Sequence, residues 1–274
     1  MTALRRRKVV TMADRATMPR NGSSSVLWKA FDVLETFSQH KRVLTLSEVA
    51  RLSGLPKSTV HRVLGMLLEV GAVEQQEGGF RIGLRMLSVA SCSPEGLLRD
   101  AAMPHLLDLH KAVGRTIHLA VLQGTDVLYL EKLHARNSQS SPTDIGIRLP
   151  AHCTGVGKAL LAHAPADTLD DLCSRPLPAL TPRSLRVPAV LRRHLDRIRS
   201  TDVAFDHDEA SVGLSCVARP ILVGGRAVAS ISIGFHSDEQ VDPALIGVLG
   251  RTTTAVARSL TARRDYHQYP STPI

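Results

Sequence analysis

The chain of 274 residues has no apolar run approaching the roughly 18 residues a membrane span requires. Its basic start, MTALRRRKVVTMADRATMPR, has no apolar stretch behind the charge, and Asp14 and Arg15 break it early, so it does not read as a signal peptide. The four cysteines, Cys92, Cys153, Cys173 and Cys216, include no C-x-x-C pair, which argues against a structural zinc site and a disulfide scaffold and fits a reducing cytoplasm. The twelve histidines include no H-E-x-x-H or other ligand spacing. No metal, cofactor or membrane partner is expected. Acidic residues are also few: 25 Asp and Glu stand against 34 Lys and Arg. That deficit suits a polyanionic partner.

A hydrophobic fraction of 43% is enough to bury a core, and the length allows one large domain or two smaller ones. Residues 1–22 read as a disordered basic arm. After the break at NGSSS, Val26, Ala30, Val33, Leu34 and Phe37 recur at helical spacing. In TLSEVARLSG, Thr45 and Glu48 form a T-x-x-E capping box, and Gly54 closes the short helix. Pro56 is expected in the first turn of the next helix.

That third helix divides by chemistry. At 100° per residue Val60, Val63, Leu64, Leu67 and Val70 fall on one side, and Ser58, His61, Arg62, Gly65 and Glu69 on the other. Two short helices joined by a tight turn, the second rich in donors near its start, make a helix-turn-helix. Ser47, Lys57, Ser58, Thr59, His61 and Arg62 are the candidate DNA contacts. Lys57, Ser58 and Thr59 suit a phosphate at the helix start, and Arg62 suits guanine O6 and N7. AVEQQEGGFRIG then reads as a hairpin turned at Gly78-Gly79, a wing whose candidate DNA contact is Arg81.

The remainder mixes helices and strands without strict βαβ alternation, an α+β pattern. Residues 94–114 are helical, with Leu98, Ala102, Leu106 and Leu109 on one stripe. Hairpins are expected around Gly124 and at Gly224-Gly225. Thr154 caps a helix begun by glycines, PAVLRRHLDRIRS is amphipathic, and Asp242-Pro243 starts a last helix. In CTGVGKAL the helix start offers backbone donors suited to an anion.

With these blocks in hand, the chain resembles the IclR family of bacterial transcriptional regulators over roughly residues 25–262. The resemblance rests on LTLSEVARLSGLPKSTVHRVLGMLLEVGAVEQ, TIHLAVLQGTDVLYLEKL, RLPAHCTGVGKALLA, DHDEASVGLSCVARPI and AVASISIGF, in the family's order. It implies an N-terminal winged helix-turn-helix (23–84), a linker helix (85–97), a GAF-like α/β effector-binding domain (98–264) and a tail (265–274). It also implies assembly as dimers or dimers of dimers. Carried over to this chain, the effector site comprises Thr154, Gly155, Val156, Asp206, Cys216, Ser232 and Gly234. A second serine is frequent in the family where Gly234 stands, so this pocket is expected to admit a larger ligand.

The expected partners are a double-stranded, (pseudo)palindromic DNA operator and a small carboxylic acid with a second polar end, an aromatic acid among the candidates. Two other classes compete. Asp206, His207 and Cys216 are the residue types of a cysteine-dependent hydrolase, with His152 and Cys153 adjacent, but neighbours on a strand point to opposite faces. A non-specific nucleic-acid coating protein fits the charge and leaves the second half without a role.

Overall fold

The structure, a computed structural model, describes residues 25–40, 43–135 and 143–263. The arm expected over 1–22 and the tail over 265–274 lie outside these residues. The described residues form two compact units, one up to Gly96 and one from Leu97.

In the first unit, helices α1 (Val26–His40), α2 (Leu46–Ser53) and α3 (Lys57–Glu69) enclose a core of Val33, Phe37, Val49, Val60, Val63 and Leu64. The capping box forms as expected. Thr45 Oγ1 accepts from the Glu48 amide, and Glu48 accepts from the Thr45 amide. Such a cap is worth about 1 kcal/mol. Gly54, at φ +69°, turns the chain into α3, a left-handed conformation that costs a glycine little.

Three local expectations shift. Pro56 is the residue before α3 rather than its first member, because its ψ of 141° is extended. Val70 caps the far end of α3 and is 50% exposed, since the helix stops before its side chain reaches the core. Strands β1 (Val73–Gln76) and β2 (Gly79–Ile82) pair Gln76 with Gly79, so the turn residues are Glu77 and Gly78. Gly79 has a different task. A Cβ there would overlap the Leu44 carbonyl, and the neighbouring Phe80 exchanges both backbone hydrogen bonds with Leu44. The hairpin is thereby tied to the segment before α2. Helix α4 (Leu84–Ala90) follows where the linker helix was expected.

The second unit is a six-stranded antiparallel sheet with helices on both faces. Its strands are β3 (Thr116–Gln123), β4 (Asp126–Leu133), β5 (Arg148–Pro150), β6 (Ala204–His207), β7 (Leu214–Val223) and β8 (Arg226–His236). Their order is β5-β4-β3-β8-β7-β6. Alternation sorts the side chains. Ile231, Ile233 and Phe235 of β8 join a core with α5 (Pro94–Val113) and α9 (Pro243–Ala262). On the other face, Ala120 and Ala218 are small enough for α6 (Gly155–Leu161) to sit close, backed by α7 (Ala166–Cys173) and α8 (Pro188–Thr201). The expected Leu98, Ala102, Leu106 and Leu109 stripe is buried in the first of these cores.

Candidate functional site

Helix α3 carries the first candidate surface. Lys57, Ser58, His61 and Arg62 are exposed, Thr59 is half-buried, and Ser47 of α2 is exposed. The start of α3 has no side-chain cap, so its first amides are not claimed by a side chain of the preceding residue. Arg81 is less available than expected. It lies opposite Glu74 in the hairpin register, and its Nη2 and Nε both donate to Glu74 Oε2, at 2.7 and 3.0 Å. Glu74 also accepts from the Leu84 amide. These bonds hold the Glu74 carboxyl below its usual range, with the Leu84 amide the larger cause.

The second candidate is a cavity of about 460 Å³ over the sheet. Strand register builds its floor. Asp206 of β6 pairs with Cys216 of β7, Cys216 with Gly234 of β8, and Gly234 with Thr116 of β3. The next row holds Ser232 beside His118. Thr154, Asp206, Cys216, Ser232 and Gly234 all line the space, although they come from four separate segments. At Gly234 an added Cβ would meet only ordinary contacts, the nearest at 3.7 Å from the Thr116 carbonyl oxygen. The missing side chain is therefore open room.

Gly155 and Val156 do not line it. Val156 is buried in the core between α6 and α8. Gly155 lets α6 approach β7, since a Cβ there would stand 2.6 Å from Cys216 Sγ. The expected anion cradle at this helix start is also largely spent. Gly157 N–H donates to Thr154 Oγ1 at 2.9 Å, and Gly155 is pressed against Cys216 and Ala218 of β7. With α6 packed into the protein, its first-turn donors serve the fold.

Burial sets the charges around the cavity. It pushes the Asp206 carboxyl up to about 7, against the opposing pull of the Glu209 amide and the Lys158 ammonium. The Glu209 N–H donates to Asp206 Oδ1 at 2.7 Å, while the Glu209 carboxylate pairs with buried Lys158. His118 is lowered to about 3 by burial, then by Lys132 and His134, so its ring is neutral. Its Nε2 lies 2.8 Å from Thr143 Oγ1, and the ring meets Tyr129 edge to face. Burial raises the Cys216 thiol and the Tyr129 phenol well above their usual ranges.

No nucleophilic arrangement arises from the residues that suggested one. Asp206 faces the cavity while its strand neighbour His207 is exposed and stacks on Phe205. Cys153 Sγ lies 3.3 Å from His152 Nε2, but that nitrogen is also 2.8 Å from the Pro178 carbonyl. A nitrogen donating to a carbonyl carries the proton and cannot accept one from the thiol. Burial further raises the Cys153 thiol and lowers His152.

Both halves of the chain have known counterparts. Residues 26–77 match the IclR helix-turn-helix domain, and residues 95–260 match the bacterial transcriptional regulator IclR C-terminal domain. The chain belongs to the IclR family. Its relatives include the HTH-type transcriptional regulator BhcR of Paracoccus denitrificans, 34% identical over 88% of each chain. The transcriptional repressor IclR of Escherichia coli is 31% identical over 80% of this chain and 82% of its own. An IclR homolog from Microbacterium hydrocarbonoxydans, solved in complex with 4-hydroxybenzoate, superposes with a TM-score of 0.81. It is 30% identical over 87% of this chain and all of that one.

IclR-family proteins are DNA-binding transcriptional regulators with a ligand-binding C-terminal domain, and these relatives carry regulators' names rather than enzymes'. Among the described residues no helix is long and apolar enough to cross a membrane. The IclR-type motifs in the sequence led to the cavity but not to all of its walls. Tyr129, His118, Arg115 and Glu239 also line it. Tyr129 and His118 sit in a strand pattern that reads as plain hairpin, and only the register turns them toward the cavity.

Proposed function

We propose that this regulator reads a DNA operator through α3 and that a small carboxylic acid in the sheet-floor cavity modulates that binding. In this reading residues 23–84 bind DNA, 85–97 link, and 98–264 bind the effector, all in the cytoplasm where the operator is. Lys57, Ser58 and Thr59, with Ser47, hold phosphates; His61 and Arg62 reach base edges. Arg81 contributes only by giving up its pair with Glu74.

The observation that carries the effector class is the floor itself: Gly234 leaves open room in the row that runs from Asp206 through Cys216 to Thr116, with Ser232 in the next row. Asp206 in its charged form accepts from a ligand hydroxyl, and Ser232 donates. Thr154 and Cys216 wall the space, with Gly155 and Val156 supporting it from behind. An aromatic hydroxy acid fits this pattern, and the Microbacterium relative's complex with 4-hydroxybenzoate supports the class. Control of a catabolic pathway for such acids follows as the biological reading.

One recognition helix covers few base pairs, so at least a dimer on a (pseudo)palindromic site is expected. Exposed Leu27, Trp28 and Phe31 of α1 and Leu84 and Leu87 of α4 support an assembly that covers them. Gel shifts on the DNA upstream of the flanking genes, with and without 4-hydroxybenzoate and related carboxylates, test the proposal. Sequence-selective binding that responds to an acid is expected. Sequence-indifferent binding, or no response to any carboxylate, refutes it.

A further inference from the structure

A carboxylate needs a cationic or donor-rich receptor, and the α6 helix start no longer supplies one. Among the described residues, Arg115 is the one arginine or lysine lining the cavity, at the turn just before β3. Its guanidinium does not face an empty site. Nη2 lies 2.7 Å from Glu239 Oε2, and Glu239 Oε1 also accepts from the His236 amide at 3.0 Å. Both side chains are partly exposed, 33% for Arg115 and 38% for Glu239, so the pair stands at the mouth rather than in the core.

Resting on the carboxylic-acid reading above, we infer that Arg115 is the receptor for the effector's carboxylate and that Glu239 occupies that receptor until the effector displaces it. The floor fixes the geometry. Thr116, next to Arg115, ends the row of paired residues that begins at Asp206. Three strand spacings separate those ends, about 14 Å from Cα to Cα. A ring with a carboxylate and a hydroxyl at opposite ends bridges part of that distance. The long arginine side chain and the short aspartate cover the rest. Gly234 lies between them, where a ring needs clearance.

Exchange is chemically even-handed. A guanidinium holds any carboxylate through paired N–H donors, so an incoming acid replaces Glu239 one for one. Glu239 keeps the His236 amide and gains access to water. The exchange costs little because the pair is already partly solvated, and an exposed ion pair contributes little net stability. Glu239 thereby competes with the ligand and sets how much acid is needed to fill the site.

Calorimetry on the full chain with 4-hydroxybenzoate and its neutral amide, 4-hydroxybenzamide, tests this. Arg115→Gln is expected to weaken the acid by roughly tenfold or more while leaving the amide nearly unchanged, the signature of a lost charge-assisted pair. Glu239→Gln is expected to do the opposite and tighten the acid several-fold. Arg115→Lys keeps the charge without the paired donors and should fall between. A merely structural ion pair would move both variants the same way for both probes, and that result overturns the inference. Acid binding by the parent chain that Arg115→Gln leaves intact also overturns it, with the carboxylic-acid reading untouched. If the parent chain binds neither 4-hydroxybenzoate nor any of the related carboxylates used in the gel shifts, that reading fails and this one falls with it.

Discussion

Helices α3 and α6 both start as candidate anion sites and end up with opposite duties. Each starts after an extended residue, and each offers backbone donors beside small or polar side chains. At α3 the preceding residue is a proline with no side-chain cap, and Lys57 and Ser58 are exposed. At α6 every residue from Gly155 to Leu161 is buried, Thr154 caps Gly157, and Gly155 is pressed against β7. A helix start becomes an anion site only when nothing in the fold has claimed its donors. The comparison also explains the glycines. A methyl group added at Gly65 on α3 would have nothing within 4 Å, whereas one at Gly157 on α6 would overlap the Ala151 backbone.

The largest effect should come from filling these two positions. Gly157→Ala overlaps the Ala151 carbonyl and should cost about 3 kcal/mol or more of stability, at the upper end for overpacking. Gly65→Ala should instead raise stability by about 0.5–1 kcal/mol through helix propensity. Denaturant titration of both variants checks the contrast, and equal losses would erase it.

Next comes the charge beneath α6. Asp206 has a folded-state pKa near 7, raised chiefly by burial, against an ordinary 3.8. The folded protein therefore holds this proton more tightly than the unfolded chain. Its stabilising contribution is fully present below about pH 4 and is lost as the pH rises toward 7. Asp206→Asn keeps an oxygen for the Glu209 amide and removes that loss. The variant should be the more stable of the two above pH 7, by up to a few kcal/mol. Melting curves between pH 5 and 8 measure the gap, and parallel curves would contradict the shift.

On α3, Arg62→Ala should weaken specific DNA binding by roughly 1–3 kcal/mol and relax discrimination. Lys57→Ala should weaken all sequences about equally and flatten the salt dependence. Gel shifts with scrambled competitors separate the two. Unchanged discrimination in the Arg62 variant would remove its base-reading role. The smallest effect is expected at Ser232→Ala, a loss of about 0.5–1.5 kcal/mol in acid binding if the lost bond is neutral. Calorimetry reads it, and DNA affinity without acid should not move.

Local periodicity and local caps were legible in the sequence. The capping box at Thr45 and Glu48, the left-handed Gly54, the Asp242 cap and the apolar stripe of α5 each involve residues a few positions apart. Their physics is complete within one element, so the chain alone determines them, together with the polar face of α3. Apart from Pro56 and Val70, which shifted at the ends of α3 itself, the errors fell where a second segment intervened. Leu44 pairs with Phe80 and presses on Gly79, which leaves Glu77 and Gly78 to make the turn. Glu74 holds Arg81 from across the hairpin. The cavity floor is the extreme case. Asp206, Cys216, Gly234 and Thr116 become neighbours only through the register of four strands, and Arg115 meets Glu239 only because β3 and β8 pair. The sequence by itself determined which residues could form helices, turns and donors. Tertiary structure decided which donors stay free and which distant residues share a site, because burial and strand pairing are properties of several segments at once.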